Sequence, residues 1–112
     1  MAERPERLRV LVADDDVDAA QALASLLPYL SRRPMAVIVA FDGEHAARLA
    51  TGPAKPHVVV LDIEMPVMDG FEAASAIKRV FGDSCPLLIA VSGDLDRVEV
   101  CCTGRCLRPR VR

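Results

Sequence analysis

Acids and one serine stand where short apolar runs end. The run Leu8–Ala13 gives way to Asp14-Asp15-Asp16, the run His57–Leu61 to Asp62, and the run Pro86–Val91 to Ser92-Gly93. In an open parallel sheet, ligands bind beyond the carboxyl ends of the strands, so these are the positions at which chemistry is expected. If the first and third runs are neighbouring strands, Asp14, Asp15 and Asp62 converge at one end of the sheet. Several carboxylates within a few ångströms repel one another and cannot all stay ionised without a counter-charge. A hard divalent cation that takes oxygen ligands, Mg²⁺ above all, is the natural partner. A carboxylate held beside Mg²⁺ can attack phosphorus and become an aspartyl phosphate, and the Ser92 hydroxyl can then donate a hydrogen bond to a phosphoryl oxygen.

Each piece has a plainer reading. Asp15 or Asp16 can simply cap a following helix, and Ser92-Gly93 by itself is an ordinary turn. Met65 and Met68 read as packing side chains. His45 and His57 have no Cys or acid at metal spacing and read as structural or surface residues. The conjunction of three acidic or hydroxylated strand ends carries the functional reading.

The elements that must position these residues alternate. The runs Leu8–Ala13, Met35–Ala40, His57–Leu61 and Pro86–Val91 are short and rich in Val, Ile and Leu, as strands buried on both faces are. Between the first two, Val17, Ala20, Leu23, Ala24 and Leu27 paint one face of a helix that Pro28 should bend or end. Asp42 can cap a second helix over Glu44–Ala50, stopped by Thr51-Gly52-Pro53. Asp69, with Glu72 three residues on, forms a capping-box pattern before a helix from about Gly70 to Val80, and Gly82-Asp83-Ser84 makes a turn. Strands alternating with helices imply an α/β doubly wound parallel sheet. Beyond Asp96 this pattern fails, and no apolar face of either period continues.

Composition sets the outer limits. The 112 residues suit one domain with an aliphatic core, since 52% are hydrophobic and only 4% aromatic. No apolar run reaches the ~18 residues that span a bilayer, and the charged start lacks a signal-peptide pattern, so the cytoplasm is expected. The net charge is −2, and Arg105, Arg108, Arg110 and Arg112 give the last twelve residues +4. Residues 1–100 are therefore acidic, which argues against direct nucleic-acid binding. Cys85, Cys101, Cys102 and Cys106 read as reduced thiols, because Cys102 and Cys106 offer one loose C-x-x-x-C and no opposed pair of ligands.

Three blocks, Val10-Leu-Val-Ala-Asp-Asp-Asp16, Val59-Val-Leu-Asp-Ile-Glu-Met-Pro-Val-Met-Asp-Gly70 and Ala90-Val-Ser-Gly93, together resemble the receiver domains of two-component response regulators. The resemblance covers roughly Leu8 to Asp96. It implies a flavodoxin-like fold with strand order 2-1-3-4, Asp62 as phosphoacceptor, Asp14 and Asp15 as an acidic pair holding Mg²⁺ with Asp62, and the Glu64 main-chain carbonyl as a further metal ligand. Ser92 matches the position that follows the phosphoryl group. The implied donor is a phosphohistidine on a sensor histidine kinase or a phosphotransfer protein.

The chain departs from the family at its C-terminal end. The family has a fifth strand ending in a Lys, with an aromatic residue just before it. Here the only lysines are Lys55 and Lys78, and no aromatic residue follows Phe81. The sequence therefore divides into an N-terminal tail 1–7, an incomplete receiver 8–97 with the fifth strand missing, and a basic tail 98–112 that reads as a truncated or out-of-frame continuation. Two consequences are expected. The fourth run becomes an open sheet edge, and part of the first helix's apolar face lies uncovered. The missing Lys also brings in a second reading, a degenerate receiver that serves only as a docking module. A third, an Asp-nucleophile phosphohydrolase suggested by Asp62-Ile-Glu64, needs a downstream Lys at the pattern's position and further acids supporting the metal, and the pattern here lacks that Lys.

Overall fold

The computed structural model describes residues 7–65, 68–91 and, as a strand backbone, 98–102. Five strands and three α-helices follow in the order β1 (Leu8–Ala13), α1 (Val17–Leu30), β2 (Met35–Ala40), α2 (Gly43–Ala50), β3 (Val58–Asp62), α3 (Gly70–Phe81), β4 (Leu87–Val91) and β5 (Val98–Cys102), with a 3₁₀ turn at Gly82–Ser84 before β4. The sheet order is β2-β1-β3-β4-β5. The first four strands run parallel, in the order the sequence implies.

Strand alternation sorts the core into two layers. Leu11, Ala13, Val59, Leu61 and Leu88 are fully or almost fully buried together with Ala46 and Ala50 of α2 and Ala73, Ala74 and Ile77 of α3. On the opposite face Val10, Val12 and Ala20 are buried, with Leu8, Leu23, Leu27, Val58 and Val60 partly buried around them. Small alanines on α2 and α3 let both helices sit close to the sheet. Each of the three helices begins at an aspartate: Asp16, Asp42 and Asp69 accept the N–H of Ala19, His45 and Glu72 respectively. Asp69 and Glu72 complete the reciprocal capping box, at 2.9 and 3.0 Å. Helix α1 continues two residues past Pro28. Proline so near the end forgoes one internal hydrogen bond without disturbing a following turn, so it shortens the helix less than its chemistry suggests.

His57 is a structural residue. Its Nδ1 accepts the Arg9 N–H at 2.9 Å, its own N–H donates to the Arg9 carbonyl at 2.8 Å, and its carbonyl accepts from Leu87 N–H at 3.0 Å. It ties β1, β3 and β4 together at the end of the sheet opposite the acids.

The expectation of a missing fifth strand is corrected by β5, which lies in the stretch the sequence assigns to the tail. It pairs with β4 through Val91↔Val98, Ala90↔Glu99, Ile89↔Val100 and Leu88↔Cys102, so β4 is not the open edge. The pairing is antiparallel. Six residues separate Val91 from Val98, too few to return the chain to the far end of the sheet as a parallel crossover requires. β-branched Val98 and Val100 suit a strand, and the bulge between Leu88 and Ile89 absorbs one residue of mismatch.

Among the described residues, α1 is the helix that covers the face carrying Val10, Val12, Val58 and Val60, and its own Leu26 is 51%, Tyr29 86% and Leu30 70% exposed. Among the described residues, no helix is long and apolar enough to cross a membrane. A chain ending at Arg97 removes β5 and opens the β4 edge. It should elute as higher-order species in size-exclusion chromatography with light scattering, under conditions in which the full chain gives a smaller species.

Candidate functional site

The parallel register of β1 and β3, with Ala13 beside Leu61, sets the acids next to one another as each strand ends. Asp14 and Asp62 are held at their roots by the ladder itself. Asp14 N–H donates to the Ala40 carbonyl at 3.1 Å, and Ile63 N–H donates to the Val91 carbonyl at 3.0 Å. One carboxylate oxygen from each of Asp14, Asp15 and Asp62 lies within 4.8 Å of the others. Asp14 and Asp62 are half-buried and Asp15 is exposed. Asp16 turns away to cap α1, and its N–H donates to Asp14 Oδ1 at 3.0 Å, which fixes that carboxylate.

The electrostatics follow from this crowding. Burial, first, and then the neighbouring Asp14 carboxylate, through its charge and a shared hydrogen bond, and Asp15, push the Asp62 carboxyl up from its ordinary 3.8 to about 6. The Glu64 N–H, which donates to Asp62 Oδ1 at 3.2 Å, works in the opposite direction. The site thus carries excess negative charge that a cation would relieve. The donor set is made of hard oxygens, as Mg²⁺ requires, and the exposed side at Asp15 leaves room for water and a further oxygen ligand.

The described residues of the loop after β3 are seated at both ends. Met65 is 8% exposed, and Met68 packs against the core, so both methionines act as anchors. Gly70 N–H donates to the Ile63 carbonyl at 3.0 Å. A Cβ at Gly70 would stand 2.5 Å from the Asp62 carbonyl oxygen, so glycine alone lets α3 start this close to the strand end. Glu64 is exposed beside Asp62. Ser92 and Gly93 lie outside the described residues, as do the arginines of the tail.

Neither lysine lies near the acids. Lys55 precedes β3 and therefore sits at the opposite end of the sheet, where its carbonyl accepts from Arg9 Nε at 2.8 Å. Lys78 is in the last turn of α3, eight residues beyond Gly70, which is roughly 12 Å along the helix axis.

The family model described as the response regulator receiver domain matches residues 10–102. The chain belongs to the response-regulator receiver family. It is 39% identical over 88 residues to the transcriptional regulatory protein PrrA of Mycobacterium leprae, a match covering 79% of this chain and 36% of that protein. It is also 38% identical over 96 residues to protein-glutamate methylesterase/protein-glutamine glutaminase 2 of Cereibacter sphaeroides, covering 86% of this chain and 25% of that one. Among solved structures, the response regulator domain of Thermotoga maritima CheB superposes with a TM-score of 0.66 at 31% identity, over 78% of this chain and 61% of that one. The chain thus spans about a third or less of these two curated relatives, and the shared part is the receiver, a domain that is not itself catalytic. Receiver domains bind Mg²⁺ at an acidic pocket, and Asp14, Asp15 and Asp62 form an acidic group here. The family match ends with β5, the strand that sequence periodicity missed.

Ionising Asp62 costs the apo fold stability. Its carboxyl rises above its ordinary value, so the stability contributed by the protonated form is full below pH 3.8 and is lost as pH rises through about 6. For a fully buried group that displacement corresponds to ~3 kcal/mol. Solvent screening at this half-exposed site brings it to about 1 kcal/mol. Asp62→Asn should therefore be more stable than the wild type by about that amount at pH 8 without metal, and no more stable at pH 4, as measured by urea denaturation at the two pH values.

Proposed function

We propose that this receiver accepts a phosphoryl group on Asp62 from a phosphohistidine of a sensor histidine kinase or phosphotransfer protein, in the cytoplasm, as one step of a two-component relay. The observation that carries the reading is the convergence of Asp14, Asp15 and Asp62 at the ends of two neighbouring parallel strands. Asp14, Asp15, Asp62 and the Glu64 carbonyl are the groups that would hold Mg²⁺. When bound, the ion neutralises charge on the carboxylates and on the incoming phosphoryl oxygens.

The protein's own part in the reaction is positional. A carboxylate oxygen of Asp62 forms the bond to phosphorus as the P–N bond to the donor imidazole breaks, and the imidazole nitrogen keeps the electron pair and takes a proton. Asp62 must be ionised to attack, and the burial and crowding that push its carboxyl up to about 6 without metal oppose this, an opposition that a bound cation would relieve. The N–H of Glu64 orients the Asp62 carboxylate through Oδ1, and the Asp16 N–H does the same for Asp14. Ser92 is assigned the hydrogen bond to a phosphoryl oxygen, which would carry the signal toward the output surface.

A second reading, a docking module that no longer phosphorylates, is favoured by one feature: neither Lys55 nor Lys78 stands at the acids to pair with a phosphoryl group. The two readings separate in an amide NMR correlation spectrum recorded with Mg²⁺ and then with beryllofluoride, a mimic of the phosphoryl group. Phosphoacceptance is expected to move the amides of Asp14, Asp15, Asp62 and Ser92 in the wild type and to leave Asp62→Asn unchanged. A dispersed wild-type spectrum that responds to neither addition would leave the docking module.

A further inference from the structure

We infer that Gly43, at the start of α2 and outside the acidic cluster, is a positioning residue that holds the loop after β3 in the geometry the metal site needs. This rests on the Mg²⁺ reading of Asp14, Asp15, Asp62 and Glu64. Gly43 is buried, and α2 meets the β3–α3 loop through it. A Cβ at this position would collide with the Met68 carbonyl oxygen and come within 2.7 Å of the Met68 carbonyl carbon and 2.9 Å of its Cβ. The atoms in the way are mostly backbone, which cannot swing aside as the tip of a flexible side chain can.

Backbone conformation does not explain this glycine. Among the described residues, Gly82 is the glycine with a left-handed φ, so an L-residue at 43 meets no φ penalty. Helix propensity alone would favour alanine. What glycine provides is closeness: α2 presses on Met68, four residues after Glu64 and two before Gly70.

The described residues on either side of this contact are fixed. Met65 is anchored in the core, the Asp69–Glu72 capping box fixes the start of α3, and Gly70 is seated on the Asp62 carbonyl. Relieving a Cβ contact at Gly43 would need a retreat on the order of 1 Å to restore ordinary separations. That motion passes through Gly70, whose N–H donates to the Ile63 carbonyl at 3.0 Å, to the neighbouring Glu64, whose N–H orients Asp62 and whose carbonyl is a metal ligand in the proposed site. Mg²⁺ demands near-ideal octahedral geometry, so a shift of this size is felt as lost affinity.

The test uses Gly43→Ala beside Arg48→Gly, which weakens the same helix at an exposed position without adding bulk. Mg²⁺ is titrated calorimetrically into each metal-free protein, and amide hydrogen exchange of residues 63, 64 and 70 is followed without metal. Gly43→Ala is expected to bind Mg²⁺ at least tenfold more weakly and to exchange the Gly70 amide faster. Arg48→Gly should lower the melting temperature yet keep Mg²⁺ affinity within twofold of the wild type. Wild-type affinity in Gly43→Ala, or an equal loss in Arg48→Gly, would overturn the assignment. A wild type that takes up no Mg²⁺ would sink the metal reading instead. The positioning role would then stand or fall on the metal-free exchange alone, with unchanged rates at residues 63, 64 and 70 rejecting it. If Gly43→Ala does not fold, Met68→Gly and Met68→Ala replace it. Both lose the thioether, but only the glycine loses the Cβ that touches Gly43, so faster Gly70 exchange in Met68→Gly than in Met68→Ala supports the role and equal exchange rejects it.

Discussion

Mutual repulsion among Asp14, Asp15 and Asp62 is the constraint around which this molecule is arranged. Three carboxylates are brought within 4.8 Å by the register of two parallel strands, and burial, with this crowding added to it, raises the Asp62 carboxyl to about 6. The fold tolerates that cost because the surrounding backbone is over-determined. Ladder hydrogen bonds pin Asp14 and Ile63, Asp16 fixes Asp14 from the α1 side, and Glu64 N–H steadies Asp62 from the loop side. A site so held concentrates negative charge, which is the condition for taking a cation.

The two faces of the sheet are built unequally. Helices α2 and α3 pack tightly through alanines and bury Leu11, Val59, Leu61 and Leu88, and the loop that carries Glu64 runs beside them. Rigidity is thus concentrated on the face that shapes the site. Among the described residues the other face is covered by α1, and much of its aliphatic surface is half-buried, with Leu26, Tyr29 and Leu30 on the helix exposed. Strand β5 protects the edge of β4 without adding a helix to this face.

Much of this was legible in the residues. Strands β1 and β2 begin and end where their apolar runs do, and β3 and β4 each begin one residue later than the runs that announce them. Caps at Asp42 and Asp69 were visible because short acids preceded helical periodicity at the right offset. Two features were not. Val98–Cys102 gave no clear alternation, and its strand state depends on the partner edge that β4 offers, a tertiary circumstance that propensity does not encode. Pro28 suggested an end to α1, whereas its position in the last turn made the lost hydrogen bond tolerable.

The sequence by itself determined the alternation of elements, the acids at the strand ends and the family to which the chain belongs, because each of these is local: a period, a cap, or a fixed spacing within one segment. Only the tertiary structure decided that β5 runs antiparallel, that Asp62 is half-buried beside Asp14 and Asp15 with its carboxyl pushed up, and that Gly43 stands against Met68. Those depend on distances between segments far apart in the chain. Gly43 at the start of a helix carries no local sign of the backbone that will press against it, since the contact exists only once β3 and α2 have packed.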